Sequence, residues 1–298
     1  MMDIVVLDEP AVEQRLHYPA LIPAIAEALA ALSSGRVVQP VRTVLPVAPH
    51  HGFFGVMPAY AGALGAKLVT FYPQNVGIHT HHAVIVLFKA ETGEPLAVMD
   101  GRLITEMRTA AASAVATQRL AREDASVLAI LGSGVQAKSH LAALRHVRSF
   151  KEVRVWSPRN APAFAQRHGV KAVATAADAV RGADVVVVAA SSTTPILQGR
   201  WLSPGTHVNA IGATRPDWRE LDDELVTTAR VFVDSRDAAL RESGDVIASR
   251  SEVTEIGAVV AGADPGRRTA EEITLFKSVG VAVEDVAAAA LVLDHKAG

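Results

Sequence analysis

Residues 132–137 read Gly132-Ser133-Gly134-Val135-Gln136-Ala137 and follow directly on the apolar run Val127-Leu128-Ala129-Ile130-Leu131. A buried strand that feeds a glycine-tight turn and then a helix can bind a dinucleotide. Gly132 permits the sharp turn, Gly134 lets the backbone approach a pyrophosphate, and Ala137 is small enough for helix and strand to pack closely. The free N–H groups of the turn and helix start, from Gly132, Ser133 and Gly134 to Val135 and Gln136, then face the phosphates. The glycine pattern alone is a weak signal, because tight turns use glycine too. Its context strengthens it: Val153-Arg154-Val155-Trp156 follows one helix length later and completes a βαβ unit.

The residues after that second strand bear on which dinucleotide. An NAD site usually carries an acid there to accept both ribose hydroxyls. This chain has Ser157-Pro158-Arg159-Asn160 instead. No carboxylate repels a 2′-phosphate, and the Ser157 hydroxyl, the Arg159 guanidinium and Asn160 can receive one, so NADPH is expected in preference to NADH. The plainer alternative is that Arg159 is a solvated residue opening the next helix. His79, His81 and His82 would suit a metal, with His79 and His81 on one face of a strand. No cysteine or neighbouring acid completes a ligand set, so no metal site is expected.

The elements that must position these groups divide the chain. At 298 residues two domains are the natural expectation. The first half has a helix over Ala20 to Leu32, then β-rich runs at Val41 to Val47, Phe53 to Met57, Lys67 to Tyr72, Ala83 to Phe88 and Leu96 to Asp100. These predict an antiparallel sheet with a hairpin at Glu91-Thr92-Gly93-Glu94. A long Ala-rich helix, Met107 to Arg122, carries Arg108 near its beginning. From residue 127 strands and helices alternate, and the continuous Val185-Val186-Val187-Val188 suits a parallel strand covered on both faces. The fold class expected is α/β: a Rossmann-type doubly wound parallel sheet at about 119–278, preceded at 1–118 by an α+β substrate and dimerisation domain with an antiparallel sheet. A helix at about 279–298 is expected to return to the first domain.

Composition narrows the partners. The formal charge is −2 and the isoelectric point about 6.6, with no long basic run, which disfavours nucleic acid and membrane surfaces. The longest apolar stretches are broken by Glu27 and by Glu284-Asp285, so no segment is expected to span a bilayer. The start lacks a basic region and cleavage site, so a cytoplasmic protein is expected. With no cysteines, disulfides, thiolate nucleophiles and Cys-ligated zinc are excluded.

Several stretches go beyond a generic nucleotide fold: Pro40-Val41-Arg42-Thr43, Gly55-Val56-Met57-Pro58-Ala59-Tyr60, Lys67-Leu68-Val69-Thr70-Phe71-Tyr72, Ala97-Val98-Met99-Asp100-Gly101, Arg108-Thr109-Ala110-Ala111, Gly212 through Leu221, and Phe276-Lys277-Ser278-Val279-Gly280. In these, over nearly its whole length, the chain resembles the ornithine cyclodeaminase and mu-crystallin family, with Thr214 to Leu225 nearest the mu-crystallin branch. The resemblance implies a homodimer whose first domains join their sheets. It also implies chemistry at a carbon that bears both a nitrogen and a carboxylate.

By position in the shared motifs, Arg42 and Arg108 correspond to a clamp for the substrate carboxylate, a planar anion that two guanidinium forks fix in place and rotation. Lys67 corresponds to a third polar group. Two arginines near it would depress its pKa, so that it could protonate an imine nitrogen near neutral pH; alternatively it only hydrogen-bonds the carboxylate or snorkels. Met57 and Thr214 are expected at the substrate; for His81 a structural role is the default reading and a place at the substrate border the other. Asp217, Trp218 and Arg219 are expected on the wall near the nicotinamide, with packing at a helix start the equal alternative, and Ser278 is expected near the carboxamide. Two departures matter. Cyclodeaminases place acids where this chain has Thr214 and Gly55, so a diamine would meet no counter-charge at either place. The expectation is therefore an NADPH-dependent reductase of cyclic ketimines, Δ1-pyrroline-2-carboxylate or Δ1-piperideine-2-carboxylate. An alanine or N-alkyl amino acid dehydrogenase, an ornithine cyclodeaminase, and a non-catalytic NADPH-binding protein are the alternatives.

Overall fold

A period of two runs through residues 43–100 in the computed structural model, which describes residues 4–294. Met57 and Ala59, Lys67, Ala83, Ile85 and Leu87, and Ala97 and Met99 are all buried, and these odd positions put one face of a sheet inward. The strands are β1 (Val5–Leu7), β2 (Thr43–Val47), β3 (Gly52–Ala61), β4 (Ala63–Phe71), β5 (His81–Phe88) and β6 (Pro95–Asp100). Among the described residues they form one six-stranded sheet in the order β1-β6-β5-β4-β3-β2.

That sheet corrects the purely antiparallel expectation. β2 to β6 pair antiparallel, including the hairpin at residues 91–94, but β1 joins β6 in parallel. The inward face is covered by the C-terminal helix Ala282–Asp294, and the helix Tyr18–Ser33, which buries Leu21, Ile22, Ile25 and Leu29 at helical spacing, packs against that helix in turn. The outward face carries Phe54, Val56, Tyr60, Leu68, Val84 and Val86 and stays partly open. Residues up to Arg108 and from Gly280 onward form this compact unit, and Thr109–Val279 forms a second. The division falls inside the helix Arg102–Leu120. Residues 295–298 of the expected C-terminal helix lie outside the described residues.

The second unit is built on β7 (Val127–Leu131), β8 (Glu152–Trp156), β9 (Lys171–Ala172), β10 (Val185–Val188), β11 (His207–Ala210), β12 (Arg230–Val233), β13 (Val253–Glu255) and β14 (Thr274–Lys277). All pair in parallel, in the order β13-β12-β14-β11-β10-β7-β8-β9. The sequence runs outward from β7 through β8 to β9 and then restarts on the other side at β10. That reversal creates the crevice where doubly wound sheets bind ligands. The four valines of β10 are wholly buried, as a strand covered on both faces requires. No helix among the described residues is long and apolar enough to cross a membrane.

Candidate active site

In the first unit, the geometry gathers around Lys67. Its position on β4 lies directly across from Met57 on β3 and Ile85 on β5, on the inward face, and it is 2% exposed. The C-terminal helix lays two consecutive acids over that face. Asp285 Oδ2 is 2.7 Å from Lys67 Nζ, and Asp285 Oδ1 accepts from Arg108 Nε at 2.9 Å. Arg108 Nη1 donates to Glu284 Oε2 at 2.5 Å. Arg42, just ahead of β2, donates through Nη2 to the Gly280 carbonyl at 2.5 Å.

Gly280 is needed at that corner. Its φ is +78°, and a Cβ there would lie 2.6 and 2.7 Å from Nη1 and Nη2 of Arg108. The helix carrying Arg108 starts at Arg102, whose N–H donates to Asp100 Oδ1. Arg108 therefore sits in the second turn rather than near the beginning. An N-capping carboxylate starts the helix earlier than its alanine content suggests.

Electrostatics separate these groups. The Lys67 pKa is pushed down from 10.5 to about 8. Burial is the main cause, and the Arg108 and Arg42 charges add to it while Asp285 opposes both. Sequence reasoning assigned the shift to the arginines alone and missed both acids. Their signal was there: adjacent charges in a segment otherwise dominated by Ala, Val and Leu cannot both reach solvent if the helix is covered. His81 shares the Lys67 face, and its ring stacks on Phe71 with centroids 4.3 Å apart. Partial desolvation against its neighbours, then the Lys67 and His82 charges, lower its pKa, although part of the side chain stays exposed. His79 precedes β5, so it does not share a strand face with His81; its ring lies edge-on to His82. Among the described residues no three His, Asp or Glu side chains converge as a metal would require.

The remaining candidates belong to the second unit. At the end of β7, Gly132 has φ +130°, and a Cβ on it would lie 2.4 Å from the Ala189 carbonyl. Only glycine fits there. Gly134 caps the helix Val135–Leu144, and a Cβ on it would meet nothing within 4 Å. Gly134 and Val135 are exposed, Gln136 is half-buried, and Ala137 is wholly buried. Room above a bare helix start, at the reversal of strand order, fits a dinucleotide diphosphate. Ser133 Oγ donates to Ser157 Oγ at 2.9 Å, tying the turn to the end of β8. Ser157 Oγ also accepts the Asn160 N–H, and Arg159 is exposed beside them.

Thr214 is half-buried beyond β11. Its segment is anchored from below, since Glu220 accepts the Gly212 N–H at 2.9 Å and 3.0 Å on its two oxygens. Lys277 Nζ donates to Glu220 at 2.7 Å and lies 3.1 Å from Asp245. All three side chains are wholly buried. Arg219 turns to Asp223 at 2.6 Å, and Arg215 lies over the Trp218 ring. Ser278 is 2% exposed, and its hydroxyl donates to Asp234 at 2.9 Å, so only its oxygen lone pairs remain for a ligand.

Comparisons with known proteins give the family of the chain. The family model for the ornithine cyclodeaminase/mu-crystallin family matches residues 2–298. The chain is 51% identical to "Ketimine reductase mu-crystallin" of Mus musculus over 287 residues, covering 92% of this chain and 91% of that one. Among solved structures it is similar to Thermococcus litoralis Δ1-pyrroline-2-carboxylate reductase in complex with NADH and L-proline, with TM-score 0.93, 37% identity and coverage of 98% and 97%. It is also similar to an archaeal alanine dehydrogenase dimer with bound NAD, with TM-score 0.92, 35% identity and coverage of 98% and 95%. The chain belongs to the ornithine cyclodeaminase/mu-crystallin family.

Proposed function

We propose that the chain is an oxidoreductase acting on C=N bonds that reduces cyclic α-imino acids, Δ1-pyrroline-2-carboxylate or Δ1-piperideine-2-carboxylate, to proline or pipecolate. The observation that carries this reading is the buried lysine whose pKa sits near 8 beside Arg108 and within reach of the Arg42 charge. Arg42 and Arg108 attract and orient the substrate carboxylate with their guanidinium charges. Lys67 gives a proton from Nζ to the ring nitrogen, and the dinucleotide, when bound, supplies hydride to the carbon. The lysine leaves that step neutral and takes its proton back from solvent. A group with a pKa near the working pH serves best in both directions. Met57 and His81 border the substrate on the Lys67 face.

Two features support reduction over ornithine cyclisation. Gly55 and Thr214 offer no carboxylate to a second amine, and the acids of the cluster already face Arg108 and Lys67. An unpaired ammonium would then be buried at a cost of several kcal/mol.

NADPH is the preferred cofactor, held by Gly132, Ser133, Gly134, Val135 and Gln136 at the diphosphate, with Ser157, Arg159 and Asn160 at the 2′-phosphate and Ser278 accepting from the carboxamide. A second copy of the chain covers the outward face of the first sheet, where Tyr60 is 46% and Val84 41% exposed; an apolar sheet face of this extent is unusual on a monomer. The test is NADPH oxidation with each imine, with pyruvate plus ammonia or methylamine as comparison and Arg108→Ala as control. Cyclic imines should be turned over fastest. No turnover by folded, cofactor-bound protein overturns the reading.

A further inference from the structure

Among the described residues the C-terminal helix contributes the buried acid pair of the first unit, and reduction as written above gives it no part. Asp285 and Glu284 are 0% exposed and stand in the first turn of the helix Ala282–Asp294. The Asp285 carboxylate is divided between two bases, Oδ2 at 2.7 Å from Lys67 Nζ and Oδ1 at 2.9 Å from Arg108 Nε. Glu284 takes the other side of the Arg108 fork. From the remaining elements, Arg42 ahead of β2 and Arg108 turn positive charge toward Lys67, and His81 on β5 feels the lysine charge in return.

We propose that Asp285 is the positioning residue that keeps the Lys67 ammonium charged and aimed, so that the proton donor stays loaded between two guanidinium groups. An ammonium buried beside like charges loses its proton readily, and an opposite charge at hydrogen-bond distance is what retains it. The divided carboxylate also fixes position, because one oxygen anchored on Arg108 leaves the other at ion-pair distance from Nζ. Both acids lie in the first helical turn, where the backbone dipole favours negative charge. The consequence for turnover rests on the reductase reading; the charge on Lys67 rests on the geometry alone.

The test reads Lys67 directly. Full-length protein carrying 15N,13C-lysine is titrated by NMR, with the Lys67 signal assigned as the one lost in Lys67→Arg. The same pH series is followed by kcat/KM for Δ1-pyrroline-2-carboxylate with saturating NADPH. Wild type is expected to titrate near 8, with the alkaline fall in kcat/KM at the same pH. Asp285→Asn should move both to lower pH by about 1 unit or more. Asp285→Ser replaces it should the amide leave no folded protein. A folded variant with the Lys67 titration unmoved overturns the proposal. A shifted titration in protein that reduces no imine upholds the coupling and overturns the reductase reading instead.

Discussion

Among the described residues each unit buries one lysine among carboxylates, and the two are tuned in opposite directions. Lys277 faces Glu220 and Asp245, and their charges and hydrogen bonds outweigh its burial and raise its pKa. Lys67 faces Asp285, but Arg108 and Arg42 add to burial and bring it down to about 8. The residue types are the same; the balance of charge around them differs. The Lys277 group holds two acids for one base, which locks the ammonium as a structural bolt under the Gly212 segment. The Lys67 group holds three bases for two acids, so a mono-anion entering it would complete neutrality. Burial beside two acids thus holds one lysine as a charged strut, and burial beside two further cations leaves the other ready to lose its proton near pH 8.

Substitutions can break this contrast from either side. Lys67→Met removes the donor and should lower imine reduction by about 10²–10⁴-fold, with NADPH affinity, read by nicotinamide fluorescence, unchanged. Arg108→Ala strips both acids of a partner and the substrate of an anchor; loss of one member of a buried charge pair of this kind should cost kcat/KM roughly a hundredfold or more. Lys277→Met leaves Glu220 and Asp245 buried without their base. Urea denaturation should show about 3–5 kcal/mol less stability, while the alkaline limb of the pH profile stays where it was.

Gly280→Ala sharpens the comparison more gently. A methyl group would press on the Arg108 guanidinium at a positive φ, and KM for the imine should rise about tenfold. Arg159→Ala, far from either lysine in sequence, should reduce the NADPH-to-NADH preference about tenfold and leave KM for the imine alone.

Much of the second unit was legible because its key residues have no substitutes. A strand that ends in a turn with φ +130° pressed against a carbonyl admits only glycine, and that constraint is written in the residue type. The strand run of the first unit was equally plain from its alternation. β1 was not: three residues pairing in parallel with a strand some ninety positions away leave no local signature. Arg42, Lys67 and Arg108 were visible through the motifs that hold them. Glu284 and Asp285 were not, because an acid pair in an Ala/Val segment reads as a break in hydrophobicity until the helix is seen to lie over Lys67. Partners for buried charges are a property of packing, which sequence reports only indirectly.

The most direct measurement follows the hydride itself. Incubating the protein with NADPH deuterated at both hydrogens of nicotinamide C4 and with Δ1-pyrroline-2-carboxylate should give proline bearing one deuterium at Cα, at a rate that falls as pH rises through about 8. Proline without deuterium, no proline, or a rate indifferent to pH across that range would contradict proton donation by Lys67 coupled to hydride transfer.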